Sequence, residues 1–65
     1  MKYIKLLVDE WFKEYEIKEV SEECFNNSPE IEQAGLIVGF KINSPEDLHF
    51  KINELTLKGF SEGLE

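Results

Sequence analysis

This chain has no arginine, a single cysteine, two prolines, a single histidine and no uninterrupted apolar run longer than three residues. Each scarcity excludes something. Cys24 alone cannot form an internal disulfide or any multi-cysteine zinc pattern, so it reads as a small, buried apolar residue in a chain suited to a reducing compartment. The longest apolar runs, Leu6-Leu7-Val8 and Leu36-Ile37-Val38, are far short of a membrane span or a signal-peptide core, and cytoplasmic residence is the expectation. Seven lysines against fourteen acids give a net charge of -7, which cannot supply the phosphate neutralisation that dominates nucleic-acid affinity. Direct nucleic-acid binding is therefore not expected.

Catalytic patterns are also missing. His49 lies between Asp47 and Lys51 in a helix-like segment and reads as a solvated residue. The serines stand in cap or turn contexts, no Gly-x-Ser-x-Gly elbow is present, and Gly35 and Gly39 are not followed by the Gly-Lys-Ser/Thr of a phosphate loop. Glu22, Glu23, Glu30 and Glu32 lack the alternating aspartates, glycine and closing glutamate of a calcium loop. Asn26-Asn27-Ser28 matches a glycosylation acceptor by letter but is followed at once by Pro29. The expectation is a protein without enzymatic activity, metal or cofactor.

Sixty-five residues suffice for one small domain, of a size that buries only about 60% of its unfolded surface and gains from any additional support. Leu64-Glu65 resembles a cloning-vector remnant, and nothing is built on it.

The charge that is present is local. Between Glu14 and Glu32 lie seven of the fourteen acids and only one base, Lys18, so this stretch carries -6 of the net -7. Glu14, Glu16, Glu19, Glu22, Glu23, Glu30 and Glu32 are the candidates for an acidic binding surface. Such a surface complements a basic partner, as in a nucleic-acid mimic or an antitoxin-like or immunity-like inhibitor. The plainer account is that the acids keep a small domain soluble.

Apolar spacing suggests the elements. Ile4, Leu7, Val8, Trp11, Phe12 and Tyr15 recur at helical intervals and predict an opening amphipathic helix, against a rival reading of Tyr3 to Val8 as a strand. Residues 15 to 25 read mainly as strand, with a second helical piece as the alternative. Leu36 to Ile42 alternates clearly as a strand. Asn-Ser-Pro-Glu occurs twice, at Asn27 and at Asn43, and is read as a helix-start signal rather than a fold repeat. The first copy is expected to open only a short turn, Pro29 to Ala34. The second opens a full helix, which Gly59 stops in a left-handed turn while Phe60 folds back.

The resulting expectation is an α+β single domain of helix, two-stranded antiparallel sheet and helix, both helices on one sheet face. The alternative is a mostly α chain with one short hairpin. The expected core is Ile4, Leu7, Val8, Trp11, Phe12, Val38, Phe40, Ile42, Leu48, Ile52 and Leu55. Phe50 and Leu57, seven apart on the last helix, point away from its inner stripe; Leu6 and Ile37 are surplus apolar groups as well. They favour a non-enzymatic interaction module, a small regulator or accessory factor acting as a homodimer or on another protein through a strand edge or the Phe50/Leu57 face.

Overall fold

The structure, a computed structural model, describes residues 2–63; the Leu64-Glu65 pair lies outside them. The described residues form five strands and two helices: β1 (Tyr3–Asp9), β2 (Glu14–Val20), α1 (Glu22–Asn27), β3 (Ile31–Ala34), β4 (Ile37–Ile42), α2 (Pro45–Leu57) and β5 (Ser61–Glu62). All five strands join one sheet in the order β3-β4-β1-β2-β5, antiparallel except for the short β2/β5 pairing. This overturns both the two-stranded expectation and the mostly α alternative.

The opening segment is a hairpin, not a helix. Ile4, Leu6 and Val8 alternate onto one face, and β1 pairs with β2 in a register that sets Leu6 against Ile17 and Val8 against Tyr15. Asp9 makes the reversal, its carboxylate accepting from the backbone N–H of Trp11 at 3.0 Å and of Phe12 at 3.2 Å, an Asx-type turn. Lys13 closes it at φ 58°. Trp11 and Phe12 consequently lie in the loop, 71% and 68% exposed, and are not core residues. Their helical spacing from Ile4 and Leu7 is coincidental.

Tyr15 to Val20 is strand as expected, but Ser21 then caps α1, its Oγ accepting from the Cys24 N–H at 3.2 Å. The first Asn-Ser-Pro-Glu ends a helix rather than starting one, since Ser28 is the C-cap of α1 and Pro29 leads into β3. Gly35, at φ 65°, takes the first position of the two-residue turn between β3 and β4, where an L side chain would be strained. The second copy acts as read: Ser44 Oγ accepts from the Asp47 N–H at 3.1 Å and Pro45 opens α2. At the other end Gly59 (φ 92°) allows the N–H of Phe60 to reach the Leu55 carbonyl at 2.9 Å and its own N–H to reach Thr56 at 3.1 Å, a Schellman closure. Phe60 is thereby folded into the core.

Leu6, Val8, Tyr15, Ile42 and Phe60 are buried, with Ile4, Ile17, Phe40, Leu48, Ile52 and Leu55 packed on them. Leu6, surplus in the helical reading, is the most deeply buried side chain, at 0% exposure. Leu7 belongs to the other face, where its Cδ2 fills the space beside Gly39. That other face carries α1: Phe25 packs against Tyr3 with ring centroids 5.2 Å apart and ring planes inclined by 49°, and the Lys41 ammonium lies 4.7 Å from the centroid of the Phe25 ring. Tyr3 and Lys41 alternate away from Leu6 and Phe40. The two helices therefore lie on opposite faces of the sheet, not on the same one.

Candidate protein-binding surface

Because α2 packs on the core around Leu6, it leaves part of its sheet face uncovered towards β4 and β3. The result is a groove of ≈ 1030 Å³. Val38 and Phe40 supply its accessible apolar floor, backed by the buried Leu6 and Val8, and Ile31 of β3 and Phe50 of α2 also line it. Ile31 and Phe50 remain 64% and 66% exposed. Charged residues surround this floor with both signs: Glu10, Lys13, Glu30, Asp47, Lys51, Glu54 and Lys58. Asp47 and Lys51 are already paired, Nζ to Oδ1 at 3.0 Å. That hydrogen bond is the main reason the Asp47 carboxyl is held below its ordinary range, aided by the Asn43 N–H and opposed by partial desolvation.

Phe50, expected from the sequence to face outward, thus borders the groove. Leu57, 82% exposed, does not line it. Ile31, which sequence reasoning passed over inside an expected turn, does. The signal for it is the alternation of Ile31-Glu32-Gln33-Ala34 immediately before a glycine turn and the strand that follows.

The acidic candidates sit elsewhere. By strand alternation Glu14, Glu16 and Glu32 share the α1 side of the sheet, and Glu22 and Glu23 are in the first turn of α1. Glu19 alternates to the α2 side, next to Ile4 in the pairing. Glu30 precedes β3 and lines the groove. Glu14 and Glu16 border a shallow cavity of ≈ 290 Å³ with Asp9, Leu7 and Ile37. Glu32 is separated from them by β4 and β1.

The same side also carries a row of lysines, because Lys5 pairs with Lys18 on one neighbour strand and with Lys41 on the other. Like charges directly opposed are unfavourable. The nearly buried Lys5 ammonium is satisfied by Glu32 Oε1 at 2.7 Å and Ser28 Oγ at 3.2 Å. The acidic surface is therefore interrupted by bases, one of which it neutralises.

The apolar side and the acidic side meet at β3. This strand is the outer edge of the sheet and all four of its residues are exposed. The opposite edge, β5, is only two residues long. Cys24, expected from the sequence to be buried, is instead exposed on the short α1, and His49 is an exposed residue of α2. Among the described residues no group of three His, Cys, Asp or Glu side chains is arranged to hold a metal ion, and no buried side-chain polar atom lacks a partner. No helix among them is long and apolar enough to cross a membrane.

No family model matches this chain, and neither a curated protein nor a solved structure is similar to it. The described residues form a small α+β domain with an apolar groove between α2 and the sheet.

Proposed function

We propose that this chain is a non-enzymatic protein-interaction module, a small acidic regulator or accessory factor that receives apolar side chains of a protein partner in the groove between α2 and β3/β4. The observation that carries this reading is the groove itself. A domain this small has little apolar material to spare, yet Phe50 and Ile31 are left about two-thirds exposed beside a floor of Val38 and Phe40. Large apolar groups gathered in this way are typical of binding surfaces, where aromatic anchors supply most of the affinity.

The charge supports a particular kind of partner. A second copy would bring another -7 to the same contact, and such repulsion is only partly screened over a Debye length of about 8 Å at physiological salt. A basic protein is favoured over a homodimer on this ground, which brings the module close to the second reading, an acidic inhibitor of a basic partner. What favours that second reading is that Glu14, Glu16 and Glu32 and the first-turn acids of α1 fall on one side of the sheet, with Lys5, Lys18 and Lys41 set among them. The single unpaired cysteine suits a reducing cytoplasm.

The test is a peptide-library selection on the immobilised chain, with Phe50→Asp as the counter-target and sedimentation of both chains over a concentration series. The expected result is enrichment of peptides with apolar anchors on the wild type and not on Phe50→Asp. Equal enrichment on both would remove the groove from the account. A dimer that dissociates on Phe50→Asp substitution would instead make a second copy the occupant. Binding lost on reversing Glu14 and Glu16 to lysine, with Phe50→Asp silent, would transfer the function to the acidic side.

A further inference from the structure

We propose that the β3 edge receives an extended segment of a basic partner protein as a sixth strand, a segment that alternates apolar with Lys or Arg side chains. This deepens the interaction-module reading and rests on it.

The first observation concerns the backbone. The Glu30 carbonyl accepts from the Lys41 N–H at 3.2 Å, continuing the register in which Ile31 faces Phe40 and Glu32 faces Gly39. In an antiparallel ladder, residues bonded to one neighbour alternate with residues whose N–H and C=O point the other way. Since Glu30 is directed to β4, so is Glu32. Ile31 and Gln33 then turn their peptide groups to the open side, where no strand follows.

This edge carries few of the usual devices against pairing, its one charge, Glu32, being already paired to Lys5. Within Ile31–Ala34 there is no lysine and no proline, whereas β5 protects the other edge by being two residues long. An unprotected row of donors and acceptors is what strand addition uses for affinity, and alternate side-chain positions provide its specificity.

The second observation sets that specificity. Residues directly opposite in a sheet share a face, so an added residue opposite Ile31 lies on the groove side, near Phe40 and Phe50. One opposite Glu32 lies on the α1 side. There the carboxylate is paired to Lys5 through Oε1 and its side chain is still 47% exposed. Apolar and basic groups are therefore wanted at successive positions, whichever direction the added strand runs. The net charge of -7 favours the same partner at longer range.

The experiment adds a capped hexapeptide of alternating valine and lysine to the isotope-labelled full chain, following amide shifts and amide hydrogen exchange. The expected result is that the Ile31 and Gln33 amides shift and become protected, and that binding weakens with salt. Gln33→Pro removes an N–H that β4 does not use, and should lower affinity about ten-fold or more; Glu32→Gln should lower it several-fold. A valine-glutamate hexapeptide should not bind.

Should Gln33→Pro disturb β3, N-methylation of alternate peptide residues removes the bonds from the ligand's side and must abolish binding. Unchanged binding of the methylated peptide, or no response at Ile31 and Gln33, would overturn the proposal. So would protection of those two amides that rises with concentration of the chain alone, which assigns the edge to a second copy. Failure here with Phe50-dependent peptides still selected from a library would leave the interaction module standing and remove only its strand-addition mode.

Discussion

The two faces of the sheet are closed by very different helices. On one, the thirteen-residue α2 is capped at both ends and presses Leu48, Ile52 and Leu55 onto Leu6 and its neighbours. On the other, the six-residue α1 contributes the partly buried Phe25, packed against Tyr3 and flanked by Lys41, above a row of lysines held in part by Glu32 and Ser28. The hydrophobic contribution scales with apolar area removed from water, so the α2 face should supply most of the stability and the α1 face most of the charge. The contrast teaches where function can be carried. The α2 face has enough core to leave a groove open beside it, while the α1 face uses its polar groups to compensate for a core it lacks.

The sharpest way to break this comparison is Leu6→Ala. Removing the one fully buried side chain should cost about 2–5 kcal/mol, read as a shift in the urea midpoint; a loss comparable to that of an α1-face residue would mean that α2 does not cover the main core. Gly59→Val should follow at about 1–2 kcal/mol, because φ 92° is strained for an L side chain and the closure that buries Phe60 depends on it. Thermal melting measures this directly.

On the α1 face, Phe25→Ala should cost only about 1 kcal/mol, the ring being partly exposed and its aromatic and cation contacts modest. Trp11→Ala should change stability by no more than about 0.5 kcal/mol, as surface substitutions do. A core tryptophan would instead cost about 3–5 kcal/mol, and the wild-type fluorescence should show the solvent exposure as a red-shifted maximum.

The smallest effect is that of pH on Asp47. Its carboxyl is held low mainly by the hydrogen bond from Lys51, so its contribution is complete above the unfolded value of about 3.9 and is lost as pH falls through the lower folded value. Asp47→Asn should lower neutral stability slightly and leave stability in strong acid nearly unchanged, which flattens the acid limb of a stability-against-pH curve. A flattened limb near neutrality would contradict the pairing as its cause.

The segment from Val38 to Phe60 was legible from local signals, whereas β5 after it and β3 before it were not expected. Ser44-Pro45, Gly59-Phe60 and the alternation of Val38, Phe40 and Ile42 are local signals, each satisfied by hydrogen bonds or pleat within a few residues. The first half was not. Ile4, Leu7, Val8, Trp11 and Phe12 fit a helical stripe as well as Ile4, Leu6 and Val8 fit a strand, and what separates the two is pairing with β2 on one side and β4 on the other. β4 begins 37 positions into the chain, beyond any local window.

The candidate site divided in the same way. Phe50 was visible as an apolar residue on the wrong side of a helix. Ile31 was not, because its exposure follows from β3 being the last strand at an edge. The acidic stretch was visible as charge, but its distribution over β2, α1 and β3, and the lysines that interrupt it, depend on strand register.

By itself the sequence determined the composition that excludes an internal disulfide and sets a net charge of -7, the caps that start and end α2, and the alternation of β4. These are decided by individual residues and their nearest neighbours through backbone hydrogen bonding and side-chain sterics. Only the tertiary structure decided that β1 would lie between β2 and β4, that α1 and α2 would take opposite faces, and that a groove and an open edge would meet at β3. Strand pairing joins residues far apart in the chain, and the choice among pairings is made by which one buries Leu6, Val8 and Tyr15 together.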